Sequence, residues 1–223
     1  GVGRRHCATL PAMTDLAPPP AEPRPARHAA MLRPLVALVL ALAMFAGFVL
    51  VLVNVLDGDL SGFDQSLVTW LRAADEAAQP RGPTWLRTFF IEITHLGGTV
   101  ALGLATAIVV GLLAFERRFR PALLVLGAVV GGTVLSSALK IGLDRPRPDL
   151  VPHLVEVVSP SFPSGHAMLS TVVYLTLGLL LARFEFARAA TRLYVVGCAL
   201  ALVLLIGASR VYLGVHWPSD VLA

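Results

Sequence analysis

Five long apolar runs constrain what this chain can fold into. They cover approximately residues 35–56, 89–115, 121–143, 163–182 and 193–212. An α-helix needs about 20 mostly apolar residues to cross the hydrocarbon core of a bilayer, and each run reaches that length. Charged residues make up 14% of the 223-residue chain, against roughly 25% in a typical soluble domain. A soluble core would have to bury five helices that are apolar on every face, so we predict an all-α bundle with five membrane spans.

The basic residues follow the loops between these runs. Arginines precede the first run and recur in the loops 116–120 (ERRFR) and 183–192 (RFEFARAATR), whereas the loop from Asp57 to Thr84 is acidic. By the positive-inside rule, the N-terminus and the arginine-rich loops are expected in the cytoplasm, and the acidic loop outside. A net charge of +4 with this distribution reflects membrane topology, so we expect no nucleic-acid partner. We predict a multi-pass protein of the inner (plasma) membrane.

The N-terminal segment differs from the rest of the chain. Residues 1–30 are rich in proline and alanine and lack hydrophobic periodicity, which predicts a disordered cytoplasmic tail. The membrane domain is then expected to cover residues 31–223. Of the two cysteines, Cys7 lies in the tail and Cys198 in an apolar run, so they predict no disulfide framework.

Polar residues collect at the ends of three runs. If the third run leads outward, KIGLDRPRP (140–148) lies at its outer end, PSGHA (163–167) starts the fourth run outside, and SRVYLGVHWPSD (209–220) follows the fifth outside. The candidate site residues in these segments are Lys140, Arg145, Arg147, Ser164, Gly165, His166, Arg210, His216 and Asp220. Three separate segments therefore bring ionisable groups to one membrane face, where such groups are costly and mark function.

These residue types favour phosphate chemistry. Arginine binds phosphate oxygens in a bidentate fork and lysine adds a point charge, while Pro163 and Ser164 are typical of a helix start that favours an anion. Two imidazoles can serve as nucleophile and general acid. Asp220 comes within reach of His216 if a new helix begins at Pro218, and would then fix the tautomer of the ring. We predict His216 as the nucleophile and His166 as the general acid.

Two other readings of these residues stay open. His166, His216 and Asp220 could ligate a metal, with His95 or His153 as further ligands, but the neighbouring cations would repel it and the spacing fits no zinc signature. We therefore expect neither a metal nor a cofactor, and His95 either lines the cavity or rests at the membrane interface. An anion transporter or channel is the other reading, although it would place its charges near the middle of the spans.

The segments KIGLDRPRP, PSGH and SRVYLGVHWPSD resemble, in this order, the three signature motifs of the type 2 phosphatidic acid phosphatase (PAP2) superfamily. That superfamily includes bacterial lipid phosphatases and vanadium haloperoxidases, and the resemblance covers about residues 31–223. It implies that Lys140, Arg147 and Arg210 bind phosphate and that Ser164 and Gly165 donate hydrogen bonds to it. Arg145 and Arg147 both precede a proline, and the spacing of the family motif from Lys140 selects Arg147.

The resemblance also implies a mechanism. His216, supported by Asp220, would attack phosphorus to give a phosphohistidine, His166 would protonate the leaving group, and water would release inorganic phosphate without metal or cofactor. The implied substrate is a lipid phosphate or pyrophosphate at the outer face of the bilayer, such as polyprenyl diphosphate, phosphatidate or phosphatidylglycerophosphate. A non-lipid acid phosphatase or a haloperoxidase-like member is the alternative, and the five spans disfavour the generally soluble haloperoxidases. The family usually has six spans, so we expect this chain, which stops at Ala223, to hold only the start of a truncated sixth.

Overall fold

The computed structural model describes residues 27–73, 79–184 and 188–223. Residues 1–26 of the predicted tail, with Cys7, lie outside this range, as do residues 74–78 of the acidic loop and 185–187 of the second basic loop. The chain divides into two units, one ending at Met44 and the other spanning Phe45–Ala223. All candidate site residues belong to the second unit.

The described residues are mainly helical. The helices are α1 (Arg27–Asp57), α2 (Ser61–Trp70), α3 (Thr84–Leu96), α4 (Thr99–Phe115), α5 (Phe119–Leu143), α6 (Gly165–Ser170), α7 (Thr176–Phe184), α8 (Ala189–Tyr212) and α9 (Pro218–Leu222). A π-helical turn, Thr171–Leu175, joins α6 to α7. Within the described ranges there is no β-strand, and an isolated bridge pairs Arg72 with Pro80. The predicted all-α fold class is confirmed.

In the part of the chain that the structure describes, four continuous helical segments are long and apolar enough to cross a membrane. They are Pro34–Asp57, Phe119–Leu143, Gly165–Arg183 and Ala189–Tyr212, and α3 with α4 makes a fifth span if that bent pair counts as one. Large apolar side chains on these helices face outward, since Val100 and Phe115 are each 85% exposed and Ile141 is 81% exposed. Such a surface would be unfavourable in water and matches helices that face lipid. The polytopic bundle predicted from the sequence is thus present.

The predicted span 89–115 is not one straight helix. It breaks at Gly97 and Gly98, and the axes of α3 and α4 differ in direction by 45°. Glycine is a weak helix former, and here its missing side chain also makes room, because a Cβ on Gly97 would lie 2.5 Å from Cγ2 of Ile206 in α8. The break therefore lets the α3–α4 junction approach α8 closely, which the apolar run alone does not reveal.

A second departure lies in the acidic loop between the first two spans. There the structure forms α2, whose buried face includes Asp64 and Val68. Val68 packs with Val151 and Val211 in a small apolar cluster. The segment read from the sequence as a topological loop is therefore part of the packed domain.

The end of α5 is set by local backbone chemistry. Asp144 adopts the left-handed conformation (φ 41°) directly after Leu143, a conformation that aspartate tolerates better than most residues. Pro146 and Pro148 then prevent the helix from continuing, because proline lacks the backbone N–H that an α-helix needs. This termination leaves Lys140 in the last turn of α5.

The two predicted helix starts near the polar segments are present. Ser164 caps α6, accepting a hydrogen bond from the backbone N–H of Ala167 at 3.5 Å. Pro218 occupies the first turn of α9, where its missing N–H costs nothing. The backbone N–H of Ser164 donates to the carbonyl oxygen of Asp220 at 2.9 Å, so the starts of α6 and α9 are joined.

The turn between α8 and α9 also depends on a glycine. Gly214 has φ +76°, and a Cβ at this position would collide with Nη2 of Arg72. Arg72, which is 3% exposed, donates from Nη1 to the carbonyl oxygen of Tyr212 at 2.9 Å. A buried arginine thereby satisfies a carbonyl at the end of α8 and holds the turn that leads to His216.

Candidate active site

A cavity of about 220 Å³ forms where the ends of α5 and α8 and the start of α6 meet the α3–α4 junction. Its polar lining includes most of the residues singled out in the sequence. These are Lys140, Arg147, Gly165, His166, Arg210 and His216. The fold thus brings residues from all three polar segments to one place.

The three cations are held by oxygen atoms of the protein. Lys140 donates from Nζ to the carbonyl oxygen of Pro160 at 2.5 Å, and Arg147 donates from Nε to that of Ser159 at 2.7 Å. Arg210, only 4% exposed, donates from Nη1 to Oγ1 of Thr94 at 3.0 Å, while its Nε has no hydrogen-bond partner. Neutral partners fix these side chains without cancelling their charge, so the cavity keeps a strongly positive lining.

The contacts of His216 define its tautomer. Nε2 lies 3.2 Å from Nη1 of Arg147, and Nδ1 lies 3.4 Å from Oδ2 of Asp220. Arginine offers only donors, so Nε2 must be the acceptor, and the proton of the neutral ring must sit on Nδ1, facing the carboxylate. The lone pair of Nε2 therefore points towards the cationic side of the cavity.

His216 is neutral at physiological pH. Burial lowers its pKa from the ordinary value of 6.5 to about 4, with the charges of Arg147 and Arg210 acting in the same direction and Asp220 opposing them. Burial likewise lowers the pKa of Arg147, which as an arginine stays charged. A neutral imidazole keeps the lone pair that a nucleophilic nitrogen needs.

Asp220 is a buried carboxylate with partners on both oxygens. Oδ2 accepts from the backbone N–H of Trp217 at 2.8 Å and from Oγ of Ser161, and Oδ1 accepts from Nη1 of Arg145 at 2.5 Å. Burial alone would raise the pKa of Asp220, but the hydrogen bonds and charges of His216, Ser161 and Arg145 outweigh it and hold the pKa below its ordinary range. Asp220 is therefore ionised when it faces the imidazole.

Arg145 and Arg147 lie on different sides of His216. Arg147 lines the cavity, whereas Arg145 bonds Asp220 and, through Nη2, Oδ2 of Asp64 at 2.8 Å. The residues alone left this pair ambiguous, and the geometry gives the two arginines separate surroundings. Arg147 is the one placed to meet a bound anion.

The PSGH segment divides in a similar way. His166 and Gly165 line the cavity, and His166 is partly buried. Ser164 is 0% exposed and its Oγ serves as the helix cap, so its hydroxyl is not part of the cavity lining. Donation from Ser164 to a phosphoryl group stays a prediction.

Two further histidines, His95 and His153, lie apart from the cavity lining. His95 is exposed, and His153 is exposed with its Nε2 2.8 Å from the carbonyl oxygen of Pro148. Across residues 27–73, 79–184 and 188–223, no three His, Cys, Asp or Glu side chains group as metal ligands. Asp220 lies beside Nδ1 of His216, as a carboxylate that orients an imidazole would, and the role of His216 as nucleophile stays a prediction.

Several residues of this region were not identified from the sequence. Thr94 anchors Arg210, Ser161 bonds Asp220, and Gly97 lies on the cavity wall, where an added Cβ would be 3.2 Å from Cδ2 of His166. The double glycine at 97–98 in an apolar run was a usable signal for a break. Thr94 and Ser161 carry no comparable signal, because their partners are remote in sequence.

Comparison with known proteins identifies the family. The sequence model of the PAP2 superfamily matches residues 121–223. Phosphatidylglycerophosphatase B of Bacillus subtilis (strain 168) is 36% identical over 160 residues, which cover 68% of this chain and 76% of that protein. The crystal structure of a transmembrane PAP2-type phosphatidylglycerolphosphate phosphatase from Bacillus subtilis superposes with a TM-score of 0.72 at 30% identity, covering 81% of this chain and 86% of that one.

A further similar structure supports the fold. LpxE of Aquifex aeolicus superposes with a TM-score of 0.53 at 24% identity, covering 71% of this chain and 86% of that chain. With the family model, the curated relative and the shared fold together, this chain belongs to the PAP2 superfamily and is a membrane phosphatase. The resemblance predicted from the three polar segments is confirmed.

Proposed function

We propose that this protein hydrolyses the phosphate monoester of a membrane lipid without a metal, through a phosphohistidine on His216. The observation that carries the proposal is the position of Nε2 of His216, which faces a cavity lined by Lys140, Arg147 and Arg210. A phosphoryl group in that cavity would have its equatorial oxygens next to fixed positive charge.

The apolar residues of the cavity support a lipid substrate. Val157, Val158 and Leu169 line the cavity together with the charged residues, and Val158 is fully exposed. An amphiphilic phosphate can place its head among the cations while its chains contact these apolar side chains. Two relatives are named for phosphatidylglycerophosphate hydrolysis, so we propose a glycerophospholipid monoester of that kind as the substrate class.

In the first step, Nε2 of His216 attacks phosphorus while the P–O bond to the lipid breaks. His166, which carries an extra proton when the anionic phosphate is bound beside it, gives that proton to the departing alkoxide, which leaves as the lipid alcohol, and His166 becomes neutral. Arg147 must exchange its contact with Nε2 for a phosphoryl oxygen, because Nε2 needs its lone pair for the new bond. Asp220 stabilises the positive charge that develops on the ring through the Nδ1 proton.

In the second step, water attacks the phosphohistidine. Neutral His166 accepts a proton from the water as the new P–O bond forms, and the P–N bond breaks. Inorganic phosphate leaves, His216 returns to its neutral form, and His166 is protonated again for the next cycle. Lys140, Arg147 and Arg210 face the same three oxygens throughout.

We place the active site on the outer face of the membrane. The arginine-rich loops favour the cytoplasm, and the cavity lies at the opposite ends of α5 and α8. Cysteines introduced at Arg118 and Arg188 should then react only with a reagent applied in the cytoplasm, and one at Asp149 only from outside. Labelling of all three from one side would refute this orientation.

The chemistry is tested with the full-length protein in detergent. Phosphatidylglycerophosphate, phosphatidate and a polyprenyl diphosphate are supplied in parallel, and phosphate release is measured for wild type and His216→Ala. We expect wild type to favour the glycerophospholipid monoesters, His216→Ala to be inactive, and a radiolabelled phosphoenzyme to be trapped only in the wild type. Near-normal activity of a folded His216→Ala would remove His216 as the nucleophile.

A second experiment tests whether the hydrolysis needs a metal ion. Vanadate, which mimics five-coordinate phosphorus, should inhibit, whereas a chelator should not. Inhibition by chelator that zinc reverses would replace the phosphohistidine proposal with a metal mechanism.

A further inference from the structure

Asp64 is a buried carboxylate outside the three polar segments. It lies on α2 and is 1% exposed. Oδ1 accepts from the backbone N–H of Ser219 at 2.9 Å, and Oδ2 accepts from Oγ of Ser219 at 2.5 Å and from Nη2 of Arg145 at 2.8 Å. A buried charge is costly unless it is fully paired, and these partners pair it.

Arg145 connects this carboxylate to the one beside His216. The guanidinium donates from Nη2 to Asp64 and from Nη1 to Oδ1 of Asp220, and Nη1 also lies 2.9 Å from Oγ of Ser219. The other oxygen of Asp220 faces the imidazole of His216. A continuous chain of contacts therefore runs from α2 to the ring nitrogen opposite the attacking one.

We propose that Asp64 and Arg145 are positioning residues, which hold the carboxylate of Asp220, and through it the imidazole of His216, in the orientation for attack. The proposal rests on the proposed role of His216 as nucleophile. It adds to that role a carboxylate on α2, the helix between the first two spans.

The charges explain why two carboxylates share one arginine. Asp64, Arg145 and Asp220 together carry one net negative charge, so Asp220 can still stabilise a cationic imidazole. Without the charge of Asp64, Arg145 would neutralise Asp220, and the group facing Nδ1 would lose its net charge. The phosphate-binding side chains Lys140, Arg147 and Arg210 make no recorded contact with Asp64, so substrate binding should be spared.

The kinetic test uses Asp64→Asn, which keeps the shape of the side chain and removes its charge. We expect kcat to fall by about 10- to 100-fold, by analogy with the loss of a group that orients a metal-bound side chain, with KM nearly unchanged. Asp59→Asn, which alters an exposed carboxylate next to α2, should behave as wild type. If Asp64→Asn raised KM and left kcat unchanged, or changed neither, the proposal would be overturned.

Ser219→Ala distinguishes two roles for Asp64. Asp64 either orients the carboxylate of Asp220 through Arg145 or only attaches α2 to α9 through Ser219. The substitution removes the hydroxyl contacts of Asp64 and Arg145 with Ser219 but leaves both bonds of Arg145 to the carboxylates. We expect a smaller loss of kcat than in Asp64→Asn, and Arg145→Gln should lose at least as much as Asp64→Asn. If Ser219→Ala lost as much kcat as Asp64→Asn, the role of Asp64 would be attachment only.

An NMR measurement tests the same inference without turnover. The proton on Nδ1 of His216, hydrogen-bonded to a carboxylate, should give a low-field resonance that His216→Ala removes. Asp64→Asn should shift or broaden it, and Asp59→Asn should not. An unshifted resonance in folded Asp64→Asn would refute the positioning role, whether or not the proposed reaction is correct. If the wild-type protein hydrolysed none of the lipid phosphates, the proposed reaction alone would be refuted.

Discussion

Arginines lie at both ends of the helical bundle, in very different surroundings. At the loop between α4 and α5, Arg117, Arg118 and Arg120 are exposed, and the cavity there, of about 670 Å³, is lined by consecutive residues 117–121. At the other end, Arg210 is buried and the cavity is about one third of that size. The smaller cavity is lined by residues from several helices and loops.

The difference shows what marks a site in a membrane protein. Charge and volume favour the loop end, but its basic groups are solvated and come from one short segment. At the other end the fold holds one buried arginine, Arg210, and two half-buried cations, Lys140 and Arg147, near imidazoles, which is costly and needs several elements to support it. The end with the candidate site differs from the loop between α4 and α5 in that segments far apart in sequence bury its charge. A high density of charge does not distinguish the two ends.

The largest expected effect that tests the difference between the two ends is the loss of hydrolysis rate in His166→Ala. If His166 protonates the leaving oxygen, His166→Ala should lose most of the roughly 10²- to 10⁴-fold that general acid catalysis contributes on a lipid alcohol phosphate. A nitrophenyl phosphate has a good leaving group and should need the acid much less. Phosphate release from the two substrates, compared in the same preparation, measures the ratio.

His216→Ala is the control for that experiment, since both substrates need the nucleophile. Equal losses on both substrates in His166→Ala, with a phosphoenzyme still trapped in His216→Ala, would mean that the roles of the two histidines are reversed.

The second prediction compares one arginine from each end. Arg210→Gln should lower kcat/KM by about 10²- to 10³-fold, the typical cost of removing one donor to transition-state charge. Arg120→Gln, the same change on an exposed side chain, should leave kcat/KM near wild type. A comparable loss in both variants would contradict the contrast between the two ends.

Two glycines give a third, smaller test. Gly97→Ala would press a methyl group against Ile206 and His166, and a displacement of about 1 Å at a reacting group can cost on the order of 10²-fold in rate. Gly111→Ala, in α4 with open space at its Cβ, is the matched control and should have no effect on rate. Equal activity of the two variants would show that the α3–α4 junction does not position His166.

The smallest expected effect concerns the protonation of His216, which should change little between pH 7 and pH 5. With a pKa of about 4, the His216 ring is about 90% neutral at pH 5, whereas a ring with the ordinary value of 6.5 would be about 3% neutral. The imidazole resonances of His216, assigned with His216→Ala, should therefore barely move between pH 7 and pH 5. Protonation of His216 within that window would show that the site end is as hydrated as the loop end.

The sequence predicted the parts of this molecule that follow local rules. The apolar runs gave the spans, Pro163 with Ser164 and Pro218 gave two helix starts, and the spacing of His216 and Asp220 placed an acid beside an imidazole. Each of these depends on residues within a few positions of one another, where helix geometry fixes what can meet.

The remaining features depend on contacts between remote residues. Asp64 meets Arg145 across 81 positions and Thr94 meets Arg210 across 116, and no local pattern relates them. Asp64 looked like one of several acidic loop residues because its burial depends on the packing of α2 against α9. The double glycine at 97–98 indicates a break, but the close approach of this junction to Ile206 in α8 depends on a contact that is remote in sequence.

The hydrogen bond from the N–H of Ser164 to the carbonyl oxygen of Asp220 couples the two histidines through the main chain. It uses no side chain, so no substitution at either position except proline at 164 can remove it. The relative placement of the two histidine-bearing segments at this contact is therefore insensitive to most side-chain changes at 164 and 220, and either position can vary without displacing the other segment.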